Sequence, residues 1–240
     1  MEIKTVKDYD ALSKVLAAET LSYMVSSSEK LICLPSGDTP LGAFKWIAET
    51  LAEKEAPSLH YKLVGLDEWV GMGRETEGSC QFYMNEHLYK PGKIDDAKIV
   101  EFNAKAEDLE NELEKMDQFL KEHGPLDLVV LGIGMNGHLG LNEPGTSFKT
   151  YSHIVPLTDK TKEVAQKYFS EETPLEKGIT LGINYFLEAK RLIVIASGKH
   201  KADIIKQLVE SEATESLPAS IVKLHKNSTL LIDEAAASSL

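Results

Sequence analysis

Short apolar runs rich in β-branched residues recur along the chain, and each is bounded by Gly, Ser, Pro or Asp. Runs of this length and composition are typical of buried β-strands. They predict strands over residues 31–34, 61–66, 126–131, 191–196 and 229–232. The segments between them carry apolar residues at helical spacing, with Glu and Lys at the polar positions. These segments predict helices over residues 41–53, 107–122, 160–169, 180–189 and 199–210.

The alternation of strand and helix predicts the α/β fold class, an open and mostly parallel sheet with helices on both faces. No internal repeat, low-complexity tract or Pro/Ser-rich linker divides the sequence. We therefore expect a single domain over residues 1–240. Loops at the carboxyl ends of the strands converge on the ligand crevice in such a sheet.

Charge and cysteine content narrow the classes of partner. The chain has 26 basic and 38 acidic residues, a net charge of −12, which argues against nucleic acid or an anionic membrane as a partner. Cys33 and Cys80 support neither a disulfide framework nor a common zinc site, so no metal is expected. The N-terminus lacks a basic region followed by an apolar stretch, and no apolar run is long enough to span a membrane. These features predict a cytoplasmic protein.

The first glycine-bearing loop follows a predicted strand and precedes a helix. Ser36, Gly37, Asp38 and Thr39 place hydroxyls and backbone N–H groups where a helix N-terminus binds phosphate. An alternative is an ordinary helix start, with Asp38 or Thr39 as the N-cap and Pro40 at the first helical position. The loop lacks the lysine and the spacing of a nucleotide P-loop.

Two adjacent carboxylates, Asp67 and Glu68, follow the second predicted strand. Burial at a strand end raises the pKa of a carboxyl group into the range useful for proton transfer. The alternative is a pair of solvated turn residues.

A glycine-dense segment over residues 132–145 contains His138 and Glu143. One interpretation is that the glycines let the backbone approach a ligand, while His138 moves protons and Glu143 orients its ring. The other is a turn-rich loop with an exposed histidine. A GxGxxG string occurs here, but no acidic residue ends the next strand at the required distance, so dinucleotide binding is not expected. Farther along, Lys201 opens a helix after a strand and either reaches a phosphate or is solvated.

Four segments together resemble the glucosamine/galactosamine-6-phosphate isomerase (deaminase) family. They are residues 36–39, 66–70, 134–145 and 217–220, and the likeness spans nearly the whole chain in the same order. The resemblance implies a Rossmann-like, sugar-phosphate isomerase type of fold, a small amino-sugar phosphate as substrate, and no cofactor. The related 6-phosphogluconolactonases share the first loop and the glycine–histidine segment, but residues 142–145, Asn-Glu-Pro-Gly, are similar to the deaminase form.

The resemblance also implies roles for individual residues. His138 opens the sugar ring with Glu143 as its partner, and Asp67 moves a proton from carbon 2 to carbon 1 with support from Glu68. Asn136 stands beside the histidine where some family members carry aspartate. The phosphate is held by the loop of Ser36, Gly37, Asp38 and Thr39 together with Lys201.

Departures from the family pattern bear on substrate and regulation. Lys167 lies near the position where glucosamine-type enzymes carry a phosphate-binding arginine, and a lysine lacks the bidentate fork. Residues 148–155 lack the basic residues of an allosteric phosphate site, so activation through that route is not expected.

The motifs around Trp69 and Cys80 and the segments 138–145 and 177–182 resemble the galactosamine-6-phosphate branch, which favours that substrate, with glucosamine-6-phosphate next. The alternatives are a 6-phosphogluconolactonase-type lactone hydrolase and a non-catalytic sugar-phosphate sensor. A homo-oligomer is compatible with the sequence, which does not fix the oligomeric state.

Overall fold

A computed structural model describes residues 1–53 and 59–240. The strands are β1 (Glu2–Val6), β2 (Lys30–Leu34), β3 (Tyr61–Gly65), β4 (Asp67–Trp69), β5 (Ile99–Val100), β6 (Leu128–Gly132), β7 (His153–Pro156), β8 (Lys177–Thr180), β9 (Leu192–Ala196) and β10 (Ser228–Asp233). The α-helices are α1 (Tyr9–Met24), α2 (Leu41–Glu53), α3 (Cys80–Met84), α4 (Leu109–His123), α5 (Asp159–Ala165), α6 (Ile183–Glu188) and α7 (Ala202–Glu210).

The main sheet has seven strands in the order β1-β10-β9-β6-β2-β3-β5. Every pair of neighbours in it is parallel. A smaller sheet of three strands, in the order β4-β8-β7, is antiparallel. The predicted fold class, an open and mostly parallel sheet, is therefore confirmed.

Side chains alternate between the two faces of the main sheet, as the pleat of a strand requires. Leu31 and Cys33 of β2 join a core with α4, α6 and α7, whereas Ile32 and Leu34 join a second core with α1 and α2. Because both faces are covered by helices, the strands are apolar throughout and stand out in the sequence. The prediction of helices on both faces is confirmed.

Several elements differ from the sequence prediction. The predicted helix over residues 180–189 is wrong at its start, because Thr180 ends β8 and the helix begins at Ile183. A 3-10 turn, Gln166–Tyr168, completes the predicted helix over residues 160–169, and another, Lys199–Lys201, opens that over residues 199–210. Helix α1 and the exposed edge strand β1 were not predicted.

The chain passes from β2 to β3 on one side of the sheet centre, while β6 pairs with the other side of β2. The loops after β2 and β6 therefore diverge from neighbouring strand ends, the usual place of a ligand crevice in an open α/β sheet. Within the described ranges, no helix has both the length and the apolar composition needed to cross a membrane. The single domain over residues 1–240 stays a prediction.

Candidate active site

A cavity of about 680 Å³ opens between the loops that follow β2 and β6. Its size suits a small organic ligand. Most of the predicted site residues line it, namely Ser36, Gly37, Asp38, Thr39, Asp67, Asn136, His138 and Lys201. Glu68 and Glu143 are buried behind this lining. Among residues 1–53 and 59–240, no group of three His, Cys, Asp or Glu is placed to hold a metal ion.

Asp67 is the first residue of β4 and pairs with Thr180 of β8, so its position is fixed by a strand rather than by a loop. Burial raises the pKa of Asp67 to about 7, and the neighbouring Glu68 carboxylate acts in the same direction, while a hydrogen bond from the Cys80 thiol opposes it. A carboxyl group with this pKa exchanges protons readily near neutral pH. The structure thus supports Asp67 as a candidate base.

Glu68 points away from the cavity toward the start of α3. Its carboxylate accepts the backbone N–H groups of Trp69 at 2.7 Å, Cys80 at 3.1 Å and Gln81 at 2.9 Å. Burial raises the pKa of Glu68 to about 7, although these hydrogen bonds oppose the shift. Since Glu68 is fully buried, the alternative of two solvated turn residues is wrong. Glu68 therefore acts on Asp67 indirectly. It holds the backbone of β4 and the start of α3, and its negative charge affects the pKa of Asp67.

His138 packs against Gly134, where any side chain would collide with the imidazole ring. Its side chain is 22% exposed, so the alternative of a solvent-exposed loop histidine is wrong. Burial lowers the pKa of His138, Glu143 opposes this shift, and Lys201 adds to it. Nδ1 of His138 lies 3.8 Å from Oε2 of Glu143, so the carboxylate faces the ring without a hydrogen bond.

Asn136 connects the histidine to the glutamate. The side-chain amide nitrogen of Asn136 donates to Oε2 of Glu143 at 2.8 Å, and its side-chain oxygen Oδ1 accepts the backbone N–H of His138 at 3.2 Å. An amide here satisfies the carboxylate without adding a second negative charge, which an aspartate would bring.

Two threonines that were not predicted as site residues bind the other oxygen of Glu143. Oε1 accepts hydrogen bonds from the backbone N–H of Thr158 at 3.3 Å, the hydroxyl of Thr158 at 3.1 Å and the hydroxyl of Thr161. Thr158 is also the N-cap of α5. The sequence signal, a threonine before a helical segment, predicts a cap but not the distant carboxylate that shares it.

Lys201 lines the cavity from the 3-10 turn that follows β9. Its ammonium group donates to the carbonyl of Ile133 at 2.7 Å. Burial lowers its pKa to about 8, Lys167 adds to this shift, and Asp38 opposes it. The alternative of a solvated helix start is therefore wrong, and a positive charge faces the cavity beside the first loop.

The first loop does not form the ordinary helix start considered above. The first helical hydrogen bond of α2 runs from the N–H of Phe44 to the carbonyl of Pro40, so Pro40 occupies the N-cap position rather than the first helical one. Gly37 has a φ of +102°, a backbone conformation that residue types other than glycine rarely adopt. The Asp38 carboxylate contacts the Lys167 ammonium group at 2.5 Å.

Tyr9, at the start of α1, holds this loop from outside the sheet. Its hydroxyl donates to the carbonyl of Asp38 at 3.0 Å and accepts the N–H of Gly42 at 2.8 Å. Cys80 is a second unpredicted neighbour, because its buried thiol contacts both Ser36 and Asp67. The pKa of Cys80 is raised well above its usual value, chiefly by burial. The thiol therefore stays protonated and bridges the loop and the candidate base.

The fourth sequence motif, residues 217–220, supports the site without lining the cavity. The backbone N–H of Ala219 donates to the carbonyl of Gly137 at 2.9 Å, and the side chain of Leu217 packs directly over Gly137. This contact holds the loop that carries His138.

Comparison with known proteins gives consistent relatives. A model of the family described as glucosamine-6-phosphate isomerases/6-phosphogluconolactonase matches residues 7–231. A protein of Clostridium novyi (strain NT) named glucosamine-6-phosphate deaminase is 37% identical over 242 residues, covering 100% of both chains. Glucosamine-6-phosphate deaminase 1 of Bacillus subtilis (strain 168) is 34% identical over 241 residues, covering 99% of both.

Solved structures show the same relationship. A monomeric glucosamine-6-phosphate deaminase superposes with a TM-score of 0.93 at 33% identity, covering 100% of both chains. The 6-phosphogluconolactonase of Trypanosoma brucei superposes with a TM-score of 0.74 at 19% identity, covering 100% of this chain and 98% of its own. At that identity the second likeness concerns the fold alone.

Proposed function

The chain belongs to the family of glucosamine-6-phosphate isomerases and 6-phosphogluconolactonases, and we propose that it converts an amino-hexose 6-phosphate into a ketohexose 6-phosphate and ammonia. The predicted family resemblance is confirmed by the match over residues 7–231. The predicted enzyme class, an amino-sugar-phosphate deaminase, is confirmed by relatives of that name over the full length of the chain.

One observation carries the proposal. A single cavity brings together a carboxyl group with a pKa of about 7, a histidine faced by a buried glutamate, and a lysine beside a glycine-bearing loop. Acid–base groups and a cation that line one cavity match a substrate that reacts at carbons 1 and 2 and carries phosphate at carbon 6. The basic pocket that an acidic chain needs for an anionic substrate is supplied by Lys201 and Lys167.

In the proposed mechanism, His138 protonates the ring oxygen as its bond to carbon 1 breaks, and the hydroxyl on carbon 1 loses its proton to water. Glu143 stabilises the imidazolium of His138 before that transfer. Once the ring is open, the carbonyl at carbon 1 makes the carbon 2 proton acidic. Asp67 removes that proton and delivers it to carbon 1. Oxygen 1 gains a proton and the amine nitrogen loses one, which leaves a hydroxyl at carbon 1 and an imine at carbon 2. Water adds to the imine, ammonia leaves, and the ketose remains.

The phosphate is proposed to bind where α2 begins. Ser36, Gly37 and Thr39 offer hydroxyls and backbone N–H groups, and Lys201 offers a charge that is partly desolvated. The backbone of Asp38 belongs to this loop, whereas its side chain contacts Lys167.

The preferred epimer is the finer part of the proposal. The curated relatives are named for glucosamine-6-phosphate, whereas the sequence motifs around Trp69 and Cys80 favour galactosamine-6-phosphate. The galactosamine preference stays a prediction. One hydroxyl differs between the two sugars, so the ratio of kcat/KM values measures the preference directly.

The test is an ammonia-release assay on the purified protein with glucosamine-6-phosphate and galactosamine-6-phosphate in parallel. We expect ammonia from at least one sugar, loss of the reaction in Asp67→Asn, and slow turnover of the cyclic sugar in His138→Gln. Asp10→Asn, at an exposed helix position, is the matched control. Silence with both sugars, or near-normal rates in both site variants, would contradict the proposal. Hydrolysis of 6-phosphogluconolactone instead would assign the chain to the other branch of the family.

A further inference from the structure

Glu143 is held at both oxygens, and the two sets of contacts come from different parts of the chain. Oε2 accepts the Asn136 amide and faces the ring of His138. Oε1 accepts the hydroxyl of Thr161 together with the hydroxyl and N–H of Thr158, at the start of α5. The side chain is 7% exposed, so these donors replace water as the partners of its charge.

The two hydroxyls do not act alike. Thr158 accepts the N–H of Thr161 as the helix N-cap, and its hydroxyl also lies 3.1 Å from the Thr161 hydroxyl. A hydroxyl has one proton, so Thr158 donates to either Glu143 or Thr161 at a given moment. The hydroxyl of Thr161 donates to the Glu143 carboxylate, and this hydroxyl is not the one that caps the helix.

The last torsion of a glutamate side chain is soft, so hydrogen bonds decide which oxygen faces which neighbour. We propose that Thr161, assisted by Thr158, is a positioning residue that orients the Glu143 carboxylate toward His138. This inference rests on the proposed function for its kinetic consequence, since the orientation matters when His138 transfers a proton. Glu143 and Lys201 are the charged groups that face His138, and they act on its pKa in opposite directions.

Thr161→Val removes the hydroxyl while keeping the branched shape, and Thr161→Ser keeps a hydroxyl. We expect Thr161→Val to lower kcat about tenfold, the size expected for a lost hydrogen bond to a charged group, with KM changed less than about twofold. We expect the NMR titration of the His138 imidazole to shift to lower pH, because the carboxylate supports the imidazolium less well. Thr161→Ser should restore both values.

Thr20→Val is the matched control, because Thr20 is fully buried in α1 and its hydroxyl has no hydrogen-bond partner among the residues that the structure describes. It should leave kcat and the His138 titration unchanged. In a Glu143→Gln background, adding Thr161→Val should cause no further shift of the titration, since the charge is already gone.

A normal kcat and an unshifted His138 titration in Thr161→Val would overturn the proposal, as would failure of Thr161→Ser to restore them. The titration is measured on the resting protein, so it tests the positioning role even if the wild type releases no ammonia. That second outcome would instead overturn the proposed function.

Discussion

The ammonium group of Lys167 lies 2.5 Å from the carboxylate of Asp38, at the edge of the loop that we propose binds phosphate. Both side chains are at least half exposed, so the pair contributes little to the stability of the fold. The pair instead affects ligand binding. Asp38 neutralises a cation that an incoming phosphate would bind, and its carboxylate repels the phosphate.

Asp38→Asn should therefore lower KM for the sugar phosphate by about two- to fivefold, the range that corresponds to an exposed ion pair. The gain should shrink at high salt, because salt screens exposed charges. KM at two ionic strengths checks this, with Asp159→Asn on α5 as the control, since that carboxylate is exposed and pairs with Lys162. An unchanged or higher KM in Asp38→Asn would contradict it.

The acid side of the pH profile should follow the deprotonation of the base. Since Asp67 has a raised pKa of about 7 and must be ionised to accept a proton, kcat/KM should increase with pH up to about that value. Glu68 titrates in the same range, so the acid limb of the profile reports the coupled titration of Asp67 and Glu68. Glu68→Gln should move the limb to lower pH, because it removes a negative charge that raises the pKa of Asp67. A rate independent of pH across this range would contradict the assignment.

The same pKa shift predicts a cost in stability. The folded state holds the Asp67 proton up to about pH 7, whereas an unfolded aspartate releases it near pH 4, so folding is penalised increasingly across this window and most strongly above it. Asp67→Asn should raise the free energy of unfolding by about 1–3 kcal/mol above pH 7, and the gain should vanish below about pH 4. Urea unfolding at several pH values measures this, with Asp10→Asn as the exposed control. A gain that is the same at all pH values would point to a different cause.

The alkaline side should follow Lys201. Burial holds its pKa at about 8, so the free enzyme loses this positive charge above that pH and kcat/KM should fall. In Lys201→Arg the cation persists, so this fall should disappear even if the rate at neutral pH is lower. Inhibition by inorganic phosphate should show the same pH dependence. Lys199→Arg, at an exposed position, should keep the wild-type profile.

Gly140 makes room for the candidate base. A Cβ there would lie 3.2 Å from Oδ2 of Asp67, and the residue has a φ of +58°. We expect Gly140→Ala to destabilise the fold by about 1–2 kcal/mol through its backbone conformation and to lower kcat more than about tenfold by displacing the carboxylate. Gly71→Ala separates the two effects, because Gly71 also has a positive φ, of +90°, but faces open space. Equal loss of kcat in both variants would contradict the packing explanation.

The fold was largely predictable because parallel strands covered on both faces are apolar along their whole length. The edge strand β1 escaped prediction for the opposite reason, since it is exposed along nearly its whole length. Thr180 and Gly182 were assigned to a helix by their apolar neighbours, but strand pairing with Asp67 and His153 decides the conformation of Thr180.

The candidate site was predictable where a motif itself lines the cavity, as with Asp67 at the start of β4 and His138 on the loop after β6. Thr158 and Thr161 could not be found, since their partner Glu143 is distant in sequence and the contact depends on how α5 docks. Tyr9 and Cys80 escaped prediction because their contacts with the first loop cross between elements far apart in the chain.

The hydroxyl of Tyr9 joins the carbonyl of Asp38 to the N–H of Gly42, and Tyr9 is the first residue of α1. Docking of α1 and the shape of the first loop are therefore thermodynamically linked. A ligand that selects this shape of the loop strengthens the attachment of α1 by the same free energy that α1 contributes to binding. Occupancy of the cavity thus becomes measurable at a distance, as slower amide exchange in an N-terminal helix that contributes only Tyr9 to the cavity wall.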